Sequence, residues 1–251
     1  MMNDFSQRIL NETNLAFDDK PQLFKKLLED PSELVSWKDI EQHTNKTERY
    51  NFELINPNSS RIEIPASRKN WIYDRAVQDK GFIFDKVNAG YGLICLDYGF
   101  HNQKTMDFLS VFENMFSVHA AIHVYCGLKD SKSFTIHEDY PCNFIIQAEG
   151  KTRWKVYKNR ISYMHRTGLM NGKLSDSDME VEIDVELESG DALYIPSRQY
   201  HCAYPKGKRI SLSIPCWQKL PTEPIENAVD RNYYRINNVG GVVVWDTEKN
   251  A

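Results

Sequence analysis

The sequence predicts one mainly β domain, a sandwich or a barrel, with α-helices flanking it. From about residue 62 the chain breaks into short runs rich in β-branched and aromatic residues, separated by Gly, Asn and Asp. Seven or more such runs at short spacing are typical of sandwiches and barrels. The length of 251 residues, 41% of them hydrophobic, suits one domain of this kind. We therefore expect a helical N-terminal extension packed on the β domain over 1–60, the β domain itself over 61–220 and a tail over 221–251.

The N-terminal part of the chain has a helical pattern up to about residue 45. Four apolar side chains lie at helical spacing: Leu23, Phe24, Leu27 and Leu28. Pro31 then interrupts the helical pattern. A second helix is predicted over 107–116, where one face carries Phe108, Val111, Phe112 and Met115. We expect both apolar faces to pack against the core.

The predicted strands fall on both sides of the 107–116 helix. The first group is RIEIP, NWIYD, GFIFDKV and YGLICLDYGF. The second group is VHAAIHVYCG, SFTIHEDYP, NFIIQAEG, TRWKVYKN, VEIDVELESG, DALYIPS and KRISLSIPCW. The polar segment 161–180 reads as a loop, and the tail as a short helix followed by the strand GGVVVWD.

Charge and cysteine usage exclude several classes of protein. The net charge is −4 with both signs interspersed, which argues against bulk nucleic-acid binding. Five cysteines without a CxxC pair indicate buried thiols in a reducing compartment rather than a disulfide framework. The N-terminus lacks the pattern of a signal peptide, and no apolar run is long enough to cross a membrane. We expect a cytoplasmic protein.

Three side chains predict a metal site. If FTIHEDYP is a strand, His137 and Asp139 share one face and Glu138 faces the other way, because side chains alternate along a strand. Replacing Glu138 should then leave the metal largely bound. The segment GDALYIPSRQYH supplies a distant third ligand, His201. Two imidazoles and one carboxylate leave coordination positions open for a 2-oxoacid and dioxygen, as in non-haem Fe(II) sites. A closed structural zinc site would need a fourth ligand.

Three other histidines lie in polar stretches of the sequence, and we expect them at the surface. They are His43, His101 and His165.

With these motifs, residues 117–217 resemble the JmjC-type, cupin-like Fe(II)/2-oxoglutarate oxygenases, in particular the protein hydroxylases among them. The densest likeness is HEDYPCNFIIQAEGKTRWKVY, which carries Phe144, Gln147, Gly150 and Trp154, followed by LESGDALYIPSRQYH. The resemblance implies a double-stranded β-helix, a cupin or jelly-roll barrel, with helices outside it. It also implies Fe(II), 2-oxoglutarate as cosubstrate and O2, used by a dioxygenase to hydroxylate a C–H bond.

The resemblance extends residue by residue to the cosubstrate pocket, with one departure. Tyr125 stands where relatives often place a tyrosine that binds the far carboxylate of 2-oxoglutarate, and Asn143 matches a pocket asparagine. Fifteen residues after His137, where many relatives carry Lys or Arg for that carboxylate, this chain has Thr152. A buried dianion needs a cation or several donors to offset its desolvation.

A replacement anchor is found on the last predicted strand. Arg209 and Ser211 lie on one face there, and other branches of the wider superfamily use an arginine, sometimes with that serine, at this place. We expect Arg209 to hold the cosubstrate, assisted by Ser211, Tyr125 and Thr152. The alternative anchors are three cations that lie near Thr152 in the sequence and should point outward if that strand is regular. They are Lys151, Arg153 and Lys155.

The substrate and the outcome of the reaction stay open at the level of sequence. The resemblance favours hydroxylation of a protein or peptide side chain. The alternatives are a hydroxylase of a small molecule or of a modified RNA base, a non-catalytic cupin that serves as a binding module, and a metal-dependent cupin isomerase. By analogy with relatives, helices in 1–45 or the tail could form a homodimer.

Overall fold

A computed structural model describes residues 20–46, 51–70, 75–116, 119–130, 134–161, 174–217 and 244–246 of the chain. Its helices are α1 (Trp37–Lys46), α2 (Lys80–Ala89) and α3 (Gln103–Phe116). Its shorter strands are β1 (Gln22–Phe24), β2 (Phe52–Ile55), β3 (Arg61–Ile62), β4 (Ala66–Asn70), β5 (Arg75–Gln78), β6 (Gly92–Cys95), β7 (His119–Ala120) and β8 (His123–Gly127). The remaining strands are β9 (Cys142–Ile161), β10 (Val181–Glu188), β11 (Ala192–Ile195), β12 (Gln199–Trp217) and β13 (Val244–Asp246). Short 3₁₀ turns lie at Pro31–Glu33, Tyr98–Phe100 and Asp176–Asp178.

One antiparallel sheet of eleven strands dominates the described part of the chain, which confirms the predicted mainly β class. Its main path runs β1-β11-β9-β12-β8-β6-β2-β3, while β10 and β13 also pair with β9, and β7 pairs with β12. The long strands β9 and β12 run beside each other from Cys142↔Cys216 to Gln199↔Arg160. Every other element of the sheet is therefore arranged around this central pair.

At Gly150, strand β9 changes which of its alternating side chains face the interior pocket. The backbone there has φ +71°, and a Cβ at this position would lie 2.1 Å from the carbonyl oxygen of Lys208, so only glycine fits. Before the glycine, the odd-numbered Ile145 lines the interior pocket; after it, the even-numbered Thr152 and Trp154 do so. The irregularity thus brings side chains from both halves of β9 to one pocket.

Two predictions of element type are wrong. The run GFIFDKV, predicted as a strand, lies in helix α2. Asp79 caps this helix by accepting a hydrogen bond from the backbone N–H of Phe82, and Gly90 ends it in the left-handed conformation. The helical pattern around Leu23 is overridden by β1, which pairs with β11. Residues 22–24 and 52–55, both within the expected helical extension, therefore belong to the main sheet.

Other elements agree with the sequence. Helix α3 covers the predicted 107–116 segment and buries Phe108 and Phe112. The tail strand is present as β13, paired with the end of β9. The tail helix and most of the 161–180 loop fall outside the described residues. Among the helices that the structure describes, none is both long and apolar enough to span a bilayer.

The core contains all five cysteines, each of them buried and none in a disulfide. His43, expected at the surface, is only 2% exposed, and its Nδ1 lies 3.1 Å from Nδ1 of His101. Its polar neighbours in sequence concealed a tertiary contact with Phe52 and Tyr98. His165 lies outside the described residues.

Candidate metal centre

His137, Asp139 and His201 come together at one point. Each offers a ligand atom, and these three atoms all lie within 4.8 Å of one another. His201 Nε2 is 3.5 Å from Asp139 Oδ2, and the two imidazole centroids are 4.4 Å apart. Within the described residues the cluster has these three members, so no fourth His, Cys, Asp or Glu completes a closed site.

The backbone sets this convergence through a single bridge between distant segments. His137 and His201 exchange backbone hydrogen bonds, 3.1 Å from N of His137 to O of His201 and 2.8 Å in the other direction. The expected strand at 133–141 is reduced to this isolated bridge, so the strand prediction is wrong in extent. Glu138 is 1% exposed and ion-pairs with Arg198, whereas Asp139 is directed at the pocket that His137 and His201 line.

Both imidazoles are oriented by their Nδ1 atoms. His137 Nδ1 lies 2.7 Å from the carbonyl oxygen of Thr135, and His201 Nδ1 lies 2.8 Å from that of Gln199. Because a carbonyl oxygen only accepts, each Nδ1 must carry the hydrogen, which leaves the lone pair of each neutral ring on Nε2. This is the arrangement found for metal-binding histidines, where a second contact fixes the tautomer.

The pKa values of the three side chains favour the binding of a metal ion. Burial lowers the pKa of His137 to about 4, and the nearby His201 adds to this effect. Burial alone would raise the pKa of Asp139. A protonated His201, which donates from Nε2 to the carboxylate, and the positive charges of both imidazoles in their protonated forms outweigh burial and lower the pKa to about 2. For His201, burial is outweighed by Asp139, so its pKa is raised. The carboxylate is therefore ionised, and His137 is neutral, near pH 7.

Asn143 supports the carboxylate ligand rather than lining the pocket directly. Its Nδ2 donates to Asp139 Oδ2 at 3.0 Å, and its Oδ1 accepts from Ser213 Oγ at 3.2 Å. The amide is only 4% exposed, so its orientation is determined by these two partners. A contact of this kind restricts the carboxylate to one rotamer.

A pocket opens directly from the metal centre. Four predicted cosubstrate residues line it: Tyr125, Thr152, Arg209 and Ser211. The other lining residues are Phe134, Ile145, Trp154, Ala203, Pro205, Leu212 and Ser213, together with the three candidate metal ligands. The pocket thus combines a mostly apolar wall with a few polar groups, as small-molecule sites usually do.

Arg209 is the cation of this pocket and is 4% exposed. Its Nη1 donates to the carbonyl oxygens of Lys129 at 2.7 Å and of Gly207 at 3.2 Å. Burial lowers its pKa to about 10, which still leaves it charged near pH 7. Ser211, two residues along the strand, donates through Oγ to Gln147 Oε1 at 2.9 Å.

Thr152 has a buried hydroxyl without a hydrogen-bond partner in the structure. The residue is 3% exposed and lines the same pocket as Arg209. A buried hydroxyl without a partner is costly, which makes this atom a candidate contact for a bound ligand.

The three alternative cations lie on the opposite face of β9. Each is paired there with an acidic side chain: Lys151 with Glu188, Arg153 with Asp184 and Lys155 with Asp176. None of them lines the pocket. Of these four candidate cations, Arg209 is therefore the one that lines the pocket.

Sequence reasoning missed the neighbours that shape the site. Gly127 on β8 faces Arg209 on β12, and Glu138 forms an ion pair with Arg198. Neither contact can be predicted without knowing how distant segments of the chain pair. His123, two residues before Tyr125 on β8, contacts the backbone rather than the pocket. Its Nδ1 accepts a hydrogen bond from the backbone N–H of Asp97 at 3.1 Å.

Comparison with known proteins agrees with this geometry. The sequence model of the JmjC domain matches residues 99–222, which include all three candidate ligands. This part of the chain is a JmjC domain. Ribosomal oxygenase 1 of Gallus gallus is 26% identical over 140 residues, 55% of this JmjC protein and 23% of the relative. The bifunctional lysine-specific demethylase and histidyl-hydroxylase NO66 of Drosophila mojavensis is 31% identical over 113 residues, 44% of this protein and 13% of the relative.

Solved structures extend the likeness in fold beyond the region of sequence similarity. Escherichia coli YcfD superimposes on this JmjC protein with a TM-score of 0.57 and 18% identity, covering 93% of this chain and 60% of YcfD. YcfD, described as a ribosomal oxygenase, has also been solved with cobalt and 2-oxoglutarate, and that structure gives a TM-score of 0.56. The fold is therefore the cupin-like double-stranded β-helix with flanking helices, as the sequence resemblance implied. The chain spans less than a quarter of the two curated relatives named above.

Proposed function

We propose that this JmjC protein is an Fe(II)- and 2-oxoglutarate-dependent dioxygenase that hydroxylates a C–H bond on a protein side chain. The observation that carries the proposal is the convergence of two imidazoles and one carboxylate within 4.8 Å, in a pocket that also holds a buried arginine. This donor set is the one that non-haem Fe(II) oxygenases use.

The residues fit the metal. Three donors on one side leave part of a six-coordinate sphere open, and both histidines carry hydrogen on Nδ1 so that Nε2 can bind. Asn143 keeps Asp139 oriented for the same purpose. His137, Asp139 and His201 would therefore hold Fe(II).

The pocket also fits 2-oxoglutarate. Arg209 offers a buried cation to the far carboxylate, and the hydroxyl of Thr152 offers a donor whose hydrogen bond is unmade in the structure. Ser211 and Tyr125 add hydroxyl groups on the same wall. A cation with several donors is what a dianion needs in order to leave water. We propose these four residues as the cosubstrate site.

Bound Fe(II) with 2-oxoglutarate and O2 would supply the oxidising power that inserts one oxygen atom into a substrate C–H bond. The balanced reaction converts 2-oxoglutarate, O2 and R–H into succinate, CO2 and R–OH. The residues of the chain bind and orient the reactants, and no side chain needs to act as a general acid or nucleophile. Ile145, Trp154 and Leu212 form apolar wall around the centre, which limits the access of water to it.

The proposed protein substrate rests on the relatives. Ribosomal oxygenase 1, NO66 and YcfD are named for activity on proteins or ribosomes, but the chain covers only part of each of them. Hydroxylation of a small molecule or of a modified RNA base is the alternative within the same chemistry. The expected homodimer and the cytoplasmic location stay predictions.

The decisive experiment measures succinate formed from 2-oxoglutarate by the purified protein with Fe(II) and O2. Cell extract incubated in the same way is then searched by mass spectrometry for peptides that carry one added oxygen atom. We expect Fe(II)-dependent succinate, lost in Asp139→Ala, together with an oxidised peptide. Protein that neither binds 2-oxoglutarate nor forms succinate would instead be a non-catalytic cupin. Turnover with an oxidised metabolite or nucleoside, and no oxidised peptide, would refute the protein substrate alone.

A further inference from the structure

A fully buried ion pair is formed by two residues that neighbour the candidate metal ligands in the chain. Arg198 Nε is 3.2 Å from Glu138 Oε2, and both side chains are 1% exposed. Glu138 stands between the ligands His137 and Asp139 in sequence, and Arg198 precedes His201 by three residues. The pair therefore joins the two chain segments that supply the metal ligands.

Arg198 occupies a backbone position that does not favour arginine. It is the third residue of a turn in which the N–H of Gln199 approaches the carbonyl oxygen of Pro196 at 3.4 Å, and its φ is +64°. Glycine or asparagine is preferred at such a turn position, because other side chains crowd the backbone there. A strained residue that persists in a buried place points to a role for its side chain.

Further contacts connect the same two segments. The backbone N–H of Arg198 donates to the carbonyl oxygen of Asp139 at 2.7 Å, and Ser197 Oγ donates to that of Tyr140. The guanidinium carbon of Arg198 lies 5.7 Å from the centroid of the Tyr140 ring. The turn at 196–199 thus packs closely on the segment that carries His137 and Asp139.

A buried ion pair is a poor source of stability in itself. Removing two charges from water costs about as much as their attraction returns, and packed apolar side chains often stabilise a protein more. A charged pair does, however, fix one arrangement of two segments, since either charge left alone in the interior would be unfavourable. We therefore expect this pair to fix the arrangement of the two segments rather than to add stability.

We propose that Glu138 and Arg198 are positioning residues that set the distance between Asp139 and His201 and so preorganise the metal ligands. This inference rests on the proposed function for the existence of the metal site. It also changes the expectation drawn from sequence that Glu138 can be replaced without effect on the metal. The pair acts through the ligands and contacts neither metal nor substrate.

The test uses Co(II) as a probe of the full chain without turnover, with affinity read from the visible absorption of the bound ion. Arg198→Gly suits the backbone of the turn but removes the cation, and we expect its Co(II) affinity to fall about tenfold or more. Arg198→Lys keeps the charge and should restore part of the affinity. Arg153→Gln, which breaks an exposed ion pair on the outer face of β9, is the matched control and should bind Co(II) as the parent does.

A double-mutant cycle separates positioning from folding. Glu138→Gln and Arg198→Gln together leave no buried charge without a partner, so the thermal midpoint of the metal-free protein should stay near that of the parent. We expect Co(II) affinity to remain reduced about tenfold in this double variant, and the two single effects to be non-additive. Parental affinity in Arg198→Gly or in the double variant, or additive single effects, would overturn the inference. Failure of the parent chain itself to bind Co(II) would overturn the proposed function, and the positioning role with it.

Discussion

Gly127 and Arg209 face each other across strands β8 and β12, and the arginine occupies the space that any larger residue at 127 would need. A Cβ at Gly127 would lie 2.7 Å from Nη1 of Arg209 and 3.1 Å from Nη2. The absence of a side chain at 127 is thus what lets the guanidinium lie buried against β8. We propose that this pair of residues takes the role of the Lys or Arg that many relatives carry at the position of Thr152.

Substituting Arg209→Gln should raise the KM for 2-oxoglutarate roughly ten- to hundredfold, since a charge-assisted contact to the far carboxylate is lost. The measurement is succinate formation at varied 2-oxoglutarate. Lys151→Gln, on the outer face of β9, is the control and should leave the KM unchanged. An unchanged KM in Arg209→Gln would return the anchor to Lys151, Arg153 or Lys155.

Gly127→Ala should give a similar, smaller defect without altering any group proposed to touch the cosubstrate. The added methyl group must displace the guanidinium, because 2.7 Å is too short for the contact. We expect a raised KM for 2-oxoglutarate with Co(II) affinity unchanged. Gly81→Ala, in helix α2, is the control: a Cβ there lies 3.3 Å from Asp79 Oδ1, a tight contact that a small shift of this side chain relieves, and it meets no residue of the pocket. A parental KM in Gly127→Ala would show that Arg209 does not need its observed position.

Thr152→Val should stabilise the metal-free protein and weaken its binding of 2-oxoglutarate. Valine keeps the shape of threonine but removes a buried hydroxyl without a hydrogen-bond partner, so the metal-free protein should gain up to about 1 kcal/mol in unfolding free energy. The same change should weaken 2-oxoglutarate binding severalfold, because a donor is lost from the pocket. Denaturant unfolding and isothermal titration measure the two effects. Destabilisation together with unchanged binding would contradict this role for the hydroxyl.

The sequence predicted the cluster of three candidate metal ligands because their signal is local and chemical. His137, Asp139 and His201 are recognisable from residue type and spacing, even though the expected strand around His137 proved to be one bridge. The run GFIFDKV could not be assigned correctly in the same way. Its aromatic and β-branched residues favour a strand, whereas the caps at Asp79 and Gly90 and burial of Ile83 and Val87 favour a helix.

The rest of the site depends on contacts between residues far apart in the chain. Gly127 beside Arg209 and Glu138 beside Arg198 are set by strand register and by a strained turn. Neither pair has a sequence spacing that reveals it. Strand alternation within TRWKVYKN gives the inward phase of Thr152 and Trp154. Alternation carried across Gly150 would give the wrong phase, because β9 changes faces there.

Asn143→Ala should weaken metal binding without abolishing it. The amide donates to Asp139 Oδ2, and loss of such a supporting contact usually costs about ten- to hundredfold in metal affinity. Asp139→Ala removes a ligand and should leave no tight Co(II) binding. Titration of both variants by visible absorption orders the two effects. Equal loss in both variants would mean that Asn143 is itself essential to the coordination, and no loss in Asn143→Ala would mean that Asp139 is oriented without it.

The affinity for metal should fall as the pH is lowered toward about 5.5 and level off at higher pH. Asp139 raises the pKa of His201 above its ordinary value of 6.5, so below that raised pKa a proton must leave His201 before the metal binds. Affinity should then drop about tenfold for each pH unit. His137 contributes little to this slope, because burial holds its pKa at about 4, and Asp139 contributes none, because its pKa is about 2.

Co(II) titrations between about pH 5.5 and about pH 8 measure how the affinity depends on pH. In Asp139→Asn the neutral amide no longer raises the pKa of His201, so the affinity that remains should level off at a lower pH. A flat curve in the parent, or one that rises on acidification, would show that His201 is not protonated in competition with the metal.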